Sequence, residues 1–336
     1  MNNFFEAAKA VGKHLKSAVL VVAIALTSCN AEELQELQEQ QPKSSVTVEY
    51  LAPLADKDYD VKNLLVVFFK PNGGEYIGYS QDLSVTSRKV SIELPDAMNR
   101  TSTCDLLVLG NCLSGGYSFP NGATLEEYMQ QVCKGKSLEE VSRSLTIKAP
   151  VQGIQEGNML FYGISKNQSL ANIKVPVTRA ISRLSLYIGE TVKSFEFESL
   201  WVYNAASTVK PFMWIEGHEE QQGRCNLPKA YQIVNREIQE NVYFFPSYVA
   251  SPSATDTQTT CLIVKGRYNG SPSSYYRINL VDRELGNTAQ LLPTNAIYYV
   301  HIKSITNNGC ATIDEAYKSV SPLGIEVDQN QPIIDL

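Results

Sequence analysis

Residues 176–189 read PVTRAISRLSLYIG, and this stretch decides the fold. Ile181, Leu184, Leu186 and Ile188 mark its apolar side, and the near period-two spacing is that of a half-buried strand. Downstream, similar short runs follow at 192–203, 241–249, 259–268, 275–281 and 297–305. Each is rich in Val, Ile, Tyr and Phe and is bounded by Gly, Pro, Asn or Ser, the pattern of a β-sandwich. Upstream, Val46, Val48 and Tyr50 alternate, and Leu64–Phe69 (LLVVFF) forms a continuous buried-type strand closed by Pro71-Asn72-Gly73-Gly74. Residues 88–94 alternate again, and 106–109 give another central strand. Helices are expected over 123–134, where Thr124 and Glu127 have capping-box spacing, and over 137–145, where Ser137 and Glu140 repeat it. The expected fold is all-β with minor helices: two sandwiches in tandem, residues 46–170 and 171–336, joined near 165–177. The 18 tyrosines suit half-exposed strand faces, because an apolar ring carries a polar tip.

The first 28 residues read as a signal peptide, with Lys9, Lys13 and Lys16 ahead of the apolar run 18–26. That run is shorter than the ~20 apolar residues a bilayer span requires. It ends in Leu26-Thr27-Ser28-Cys29, which resembles the lipobox of bacterial lipoproteins, so Cys29 is expected to become the lipidated first residue of the mature chain. Acyl chains rather than a spanning helix would then hold the protein on a membrane outside the cytoplasm. Asn30-Ala31-Glu32-Glu33 is similar to the acidic start that sends lipoproteins of some Gram-negative anaerobes to the outer face of the outer membrane. Residues 29–45 are polar and of low complexity, a tether rather than part of a core.

The 336 residues, 43% of them hydrophobic, supply cores for about two domains. A net charge of −6 without clustered Lys and Arg argues against a nucleic-acid partner. Besides Cys29 there are six cysteines, Cys104, Cys112, Cys133, Cys225, Cys261 and Cys310. They allow three disulfides, yet Cys104, Cys133 and Cys261 have the apolar neighbours of buried free thiols.

Candidates for chemistry are few, and no cofactor or metal is expected. His218 lies in a polar Gly-His-Glu-Glu-Gln loop without His-Glu-x-x-His spacing, and His301 alternates to the polar face of a strand. Asp56, Asp58 and Asp60 resemble the opening of a calcium loop, but its sixth and twelfth places hold Val61 and Val67, so a turn is expected. Glu139-Glu140 and Glu219-Glu220 are read as exposed charges, although a glycosidase pair is defined only in three dimensions. No nucleophile elbow or phosphate loop is present, so the chain is not read as an enzyme. A surface lipoprotein that binds glycans is the alternative, with Trp201, Tyr203 and Trp214 as the aromatic platform; the same alternation fits a core face.

At the other end, Leu323, Ile325, Val327 and Ile333 share one side of an extended tail, while Gly324, Glu326 and Asp328 take the other. Two roles fit residues 321–336: a strand donated to a neighbouring subunit, or a strand completing the chain's own sandwich.

The lipobox leader, the β-rich first half, PVTRAISRLSLYI near mid-chain, Tyr298–Ile302, Ile305, Gly309, Ala311-Thr312 and Glu315-Ala316 together resemble the fimbrillin-like lipoproteins that build type V pili. The resemblance implies two transthyretin-like sandwiches, a fimbrial location on the outer membrane, a part in adhesion, and other pilin subunits as partners. It also implies that an Arg-specific protease removes the first strand, here matched by residues 46–52, and that a strand of the next subunit fills the groove. Such contacts satisfy unpaired backbone and an apolar slot together, and being head-to-tail they do not close. One departure stands out: the first Arg after the leader is Arg88, leaving only Lys43, Lys57 and Lys62 near the expected cut. Either the chain keeps its lipid and serves as an anchor or accessory subunit, or a Lys-directed protease processes it.

Overall fold

The computed structural model describes residues 44–51, 60–98, 103–212, 223–245, 259–282, 288–289, 295–319, 324–329 and 333–334. The strands of the two main sheets in the first half are β1 Ser45–Leu51, β2 Leu64–Phe69, β3 Tyr76–Asp82, β4 Lys89–Glu93, β5 Thr103–Gly110, β6 Phe161–Ser169, β7 Ile173–Pro176 and β8 Thr178–Arg179. They form two sheets, ordered β4-β1-β7 and β3-β2-β5-β6-β8. Between β5 and β6 come α1, Leu125–Cys133, and α2, Leu138–Ser144, each starting with the expected capping box. Tyr128, Met129, Cys133, Leu138 and Val141 of these helices join the same core as β2. With the second sheet on one side and helices contributing to the core as well, every residue of LLVVFF is buried.

In the second half, β9 is Ser182–Ile188, β10 Phe195–Tyr203, β11 Tyr231–Val234, β12 Glu237–Ile238, β13 Val242–Phe244, β14 Cys261–Tyr268, β15 Ser274–Asn279, β16 Ala296–Ile305, β17 Ile325–Gln329 and β18 Ile333–Ile334. One sheet runs β13-β9-β16-β17, with β18 also on β16; the other runs β12-β11-β10-β14-β15. A separate core fills the space between them, including Leu184, Ile188, Leu200, Val202, Leu262, Val264, Tyr298, Val300 and Ile302. The fold class is therefore all-β with minor helices, as expected; three α-helices fall among the described residues.

The crossover differs from the expected boundary at 170/171. Strand β7 pairs in parallel with β1, and β8 pairs with β6, so both belong to the first sandwich. Ile181 also packs in the first core, and the chain passes into the second sandwich only at Ser182. The opening motif thus splits: Thr178–Arg179 closes one sandwich and Ser182–Ile188 begins the other. A seam joins the two. Ala206, Val209, Tyr243 and Phe245 contribute to the first core, and Tyr117 stacks on Phe245 at 6.2 Å. Arg179, 1% exposed, donates from Nε to Asn295 Oδ1 at 2.9 Å, which satisfies part of a guanidinium taken out of water. All six cysteines are free thiols, with Cys104, Cys112, Cys133 and Cys261 buried.

Candidate functional site

Strand β1 sits at the centre of its sheet, antiparallel to β4 on one side and parallel to β7 on the other. Its alternation is the expected one: Val46, Val48 and Tyr50 point inward at 8%, 0% and 5% exposure. Burying three such side chains stabilises the sandwich by roughly 5–8 kcal/mol gross. The outward Glu49 lies opposite Lys89 of β4 and Lys174 of β7, and its Oε2 is 3.9 Å from Lys174 Nζ. Main-chain bonds extend the ladder, with Tyr50 N donating to Arg88 O at 3.1 Å and Val177 N to Leu51 O at 2.9 Å. Burial raises the pKa of the Tyr50 phenol, and the neighbouring Arg88 partly offsets the rise.

Among the described residues β1 is the only ladder partner of both flanking strands, and each of them also takes a side-chain hydrogen bond from the neighbouring sheet. On one side, Ser80 Oγ of β3 donates to Glu93 O of β4 at 2.5 Å. On the other, Ser165 Oγ of β6 donates to Lys174 O at 3.1 Å. There the backbones approach so closely that a Cβ on Gly163 would lie 2.3 Å from Pro176 O, which excludes any larger residue. Taking β1 away would leave a slot one strand wide with an apolar floor, its walls held by these side-chain bonds and by their own buried residues. The unpaired backbone of β4 and β7 would stand about two strand spacings of ~4.8 Å apart.

The tail is seated on its own sandwich. Strand β17 runs antiparallel to β16, and Ile333 of β18 pairs with Ile297. Ile325 is buried in the second core and Val327 packs against it; Leu323, and the side chain of Ile333, lie outside the described residues. Glu326 accepts from Ser304 Oγ at 3.1 Å, Asp328 pairs with Lys303 at 2.5 Å, and Gln329 Nε2 donates to Asn279 O at 2.7 Å. Of the two roles open to this segment, the cis-paired strand is the one occupied here.

Trp201 and Tyr203 do share a face, but helix α3, Ile313–Lys318, lies against that face. Trp201 contacts Tyr275 at 6.1 Å between ring centroids, Tyr203 contacts Tyr317 at 5.2 Å, and Ala316 is fully buried among them. The two rings are neither in the sandwich core nor an open platform. Thr312 and Glu315 form the capping box that starts α3, a spacing that would have found the helix in the sequence. Trp214, His218, Glu219, Glu220, Asp56, Asp58, the tether to residue 43 and Cys29 lie outside the described residues. Glu140 caps α2 and Glu139 pairs with Arg143 at 2.5 Å, so this acidic pair is spent on helix structure. His301 lies on the outer face, its ring 4.8 Å from that of Tyr187, and Nε2 finds no hydrogen-bond partner among the described residues. Among the described residues no group of three or more His, Cys, Asp or Glu is placed to hold a metal. Nor is any helix there long and apolar enough to cross a membrane.

No family model matches the sequence, and no curated protein matches it. Similar solved structures exist. The tip fimbrial protein Mfa3 from Porphyromonas gingivalis, with C-terminal truncation, has a TM-score of 0.54 and 15% identity, covering 86% of this chain and 99% of that one. A fimbrilin from Porphyromonas gingivalis W83 has a TM-score of 0.51 and 14% identity, covering 86% of this chain and 97% of that one. Across nearly the full length of both, this chain has the fold of fimbrial proteins.

Proposed function

We propose that the chain is a structural subunit of a cell-surface fimbrium that joins other pilin subunits by exchange of strands. The observation that carries this is β1: a central strand whose two neighbours are braced elsewhere, so that one strand can be replaced without dismantling the sandwich. The tail is the complementary part. Its strand β17 is an edge strand, joined by one ladder to β16 among the described residues. An edge strand is the segment a sandwich releases at least cost, and seating it between β4 and β7 would give it two ladders. Leu323, Ile325, Val327 and Ile333 are the side chains proposed to fill the acceptor slot.

The anchor or accessory role rests on the basic residues. Arg179, in the last strand of the first sandwich, is buried and paired, and an Arg-specific protease does not reach it in the folded chain. Arg88 follows both β1 and β2, so a cut there would remove the central strand β2 as well. With no Arg between Cys29 and β2, the subunit is proposed to keep the lipid on Cys29 and to stay at the outer membrane while partners build outward; β1 then stays covalently attached and an incoming strand displaces it from the slot without cleavage. The role is non-enzymatic. The glycan-binding alternative loses support from the cover that α3 places over Trp201 and Tyr203.

Two measurements test this. Mass spectrometry of the native protein reads the lipid and the amino terminus together: an acylated Cys29 is expected, and a start beyond residue 53 refutes the anchor role. Deleting residues 321–336 is expected to leave a folded monomer that no longer joins a partner. Fibres formed unimpaired, or a chain that unfolds, refute donation by the tail.

A further inference from the structure

We propose that Lys89 and Lys174 are specificity determinants of the β1 slot. They select an incoming strand with a carboxylate at the place of Glu49, and residues 323–327 of a second copy are that strand. The inference rests on the strand-exchange reading and adds to it the charge by which the slot selects its occupant and the register in which that occupant sits.

The slot has a readable grammar. Inward places belong to Val46, Val48 and Tyr50, all buried. The outward place between the last two belongs to Glu49, which faces a lysine on each wall: Lys89 across the antiparallel pair and Lys174 across the parallel one. Directly opposed side chains on neighbouring strands are close enough for charge to matter. With β1 gone, two cations flank one position and no anion of β1 remains between them. An occupant must therefore read apolar, any, apolar, acidic, apolar.

Residues 323–327, Leu-Gly-Ile-Glu-Val, read in that order. Laying Ile325 on Val48 puts Leu323 on Val46, Val327 on Tyr50 and Glu326 on Glu49. The same order occurs at Val90–Leu94, but that segment is β4, a wall of the slot itself. In its own sandwich, Glu326 makes an exposed hydrogen bond with Ser304. Moving to the slot exchanges that for two opposed lysines, and one ladder for two.

The test uses the full mature chain with a site-specific protease sequence placed between Leu51 and Asp60, cut after folding. Labelled peptides spanning residues 321–331, native or with Glu326→Lys, compete with the β1 fragment, followed by anisotropy and by mass of the released fragment. The native peptide is expected to bind roughly three- to tenfold tighter than Glu326→Lys, the scale of exposed cross-strand charge pairs. The preference should vanish in Lys89→Gln/Lys174→Gln. It should reverse in Glu49→Lys/Lys89→Glu/Lys174→Glu, which keeps complementary charges on β1 and its walls and so guards against misfolding. Equal binding of both peptides to the native lysines overturns the selection while leaving strand exchange intact. If a synthetic 44–51 strand re-enters but the tail peptide does not, the tail is the wrong occupant. If no peptide displaces the fragment, the exchange reading falls with it.

Discussion

Val48 is the residue on which the role of β1 turns, because it is fully buried at the midpoint of the slot and pairs with Val90 on one side and Ile173 on the other. Val48→Ala removes the branching methyl groups from a site whose walls are braced by β3 and β6, so the site does not collapse to fill the space. The transfer loss of about 1.6 kcal/mol plus a cavity term gives roughly 2–3 kcal/mol. Thr47→Ala is the control: Thr47 is exposed, lies opposite Ser91, and should change stability by no more than about 0.5 kcal/mol. Urea unfolding of the chain from residue 30 onward, without the lipid, reads the difference. With a slope near ~2 kcal/mol/M, Val48→Ala should lower the midpoint by about 1 M and Thr47→Ala should not move it measurably. The first core includes Tyr243 and Phe245 from the second half, so a single coupled transition is expected rather than loss of one sandwich alone. Two indistinguishable variants would mean that β1 does not fill the slot in solution, and the argument for a replaceable central strand would fail.

The capping boxes give a pH prediction. Hydrogen bonds from the Thr124 and Ser137 backbone N–H groups lower the pKa of Glu127 and Glu140 below the usual carboxylate value. A depressed folded-state pKa means the contribution is complete above the unfolded value and is lost as pH falls through the folded one, so it should fade as the pH falls through and below the usual carboxylate range. Glu127→Gln/Glu140→Gln should flatten that part of the melting-temperature profile; an unchanged acid slope would show that the caps are not formed. Burial pushes the thiols of Cys104, Cys112, Cys133 and Cys261 up to about 12, so at neutral pH they should resist maleimide in the native chain. Of the six described cysteines, Cys225 and Cys310 are the partly exposed ones and should react; modification of all six without denaturant would refute the packing described.

The sequence by itself determined the elements whose signal is local. Alternation placed β1 and β4, the unbroken apolar run placed β2, and Ser or Thr followed three residues on by Glu placed α1 and α2, because side-chain period and helix capping depend on neighbours along the chain. What depended on distant partners stayed closed. Strand β7 offers only Ile173 and Val175 as apolar signal and falls in the stretch expected to join the two sandwiches; it is a strand of the first because β1, far away in the chain, lies beside it. Arg179 lies outside the apolar positions of the half-buried run read at 176–189, yet it is among the most buried side chains, since the second half of the chain supplies Asn295 to meet it. Trp201 and Tyr203 read as a core face or a platform until a short helix is seen to cover them. The tail carries the alternation of a seated strand, but alternation names a face and not a neighbour. That β17 lies on β16, and that Glu49 stands between two lysines contributed by separate strands, are facts of register and packing, which only the folded chain decides.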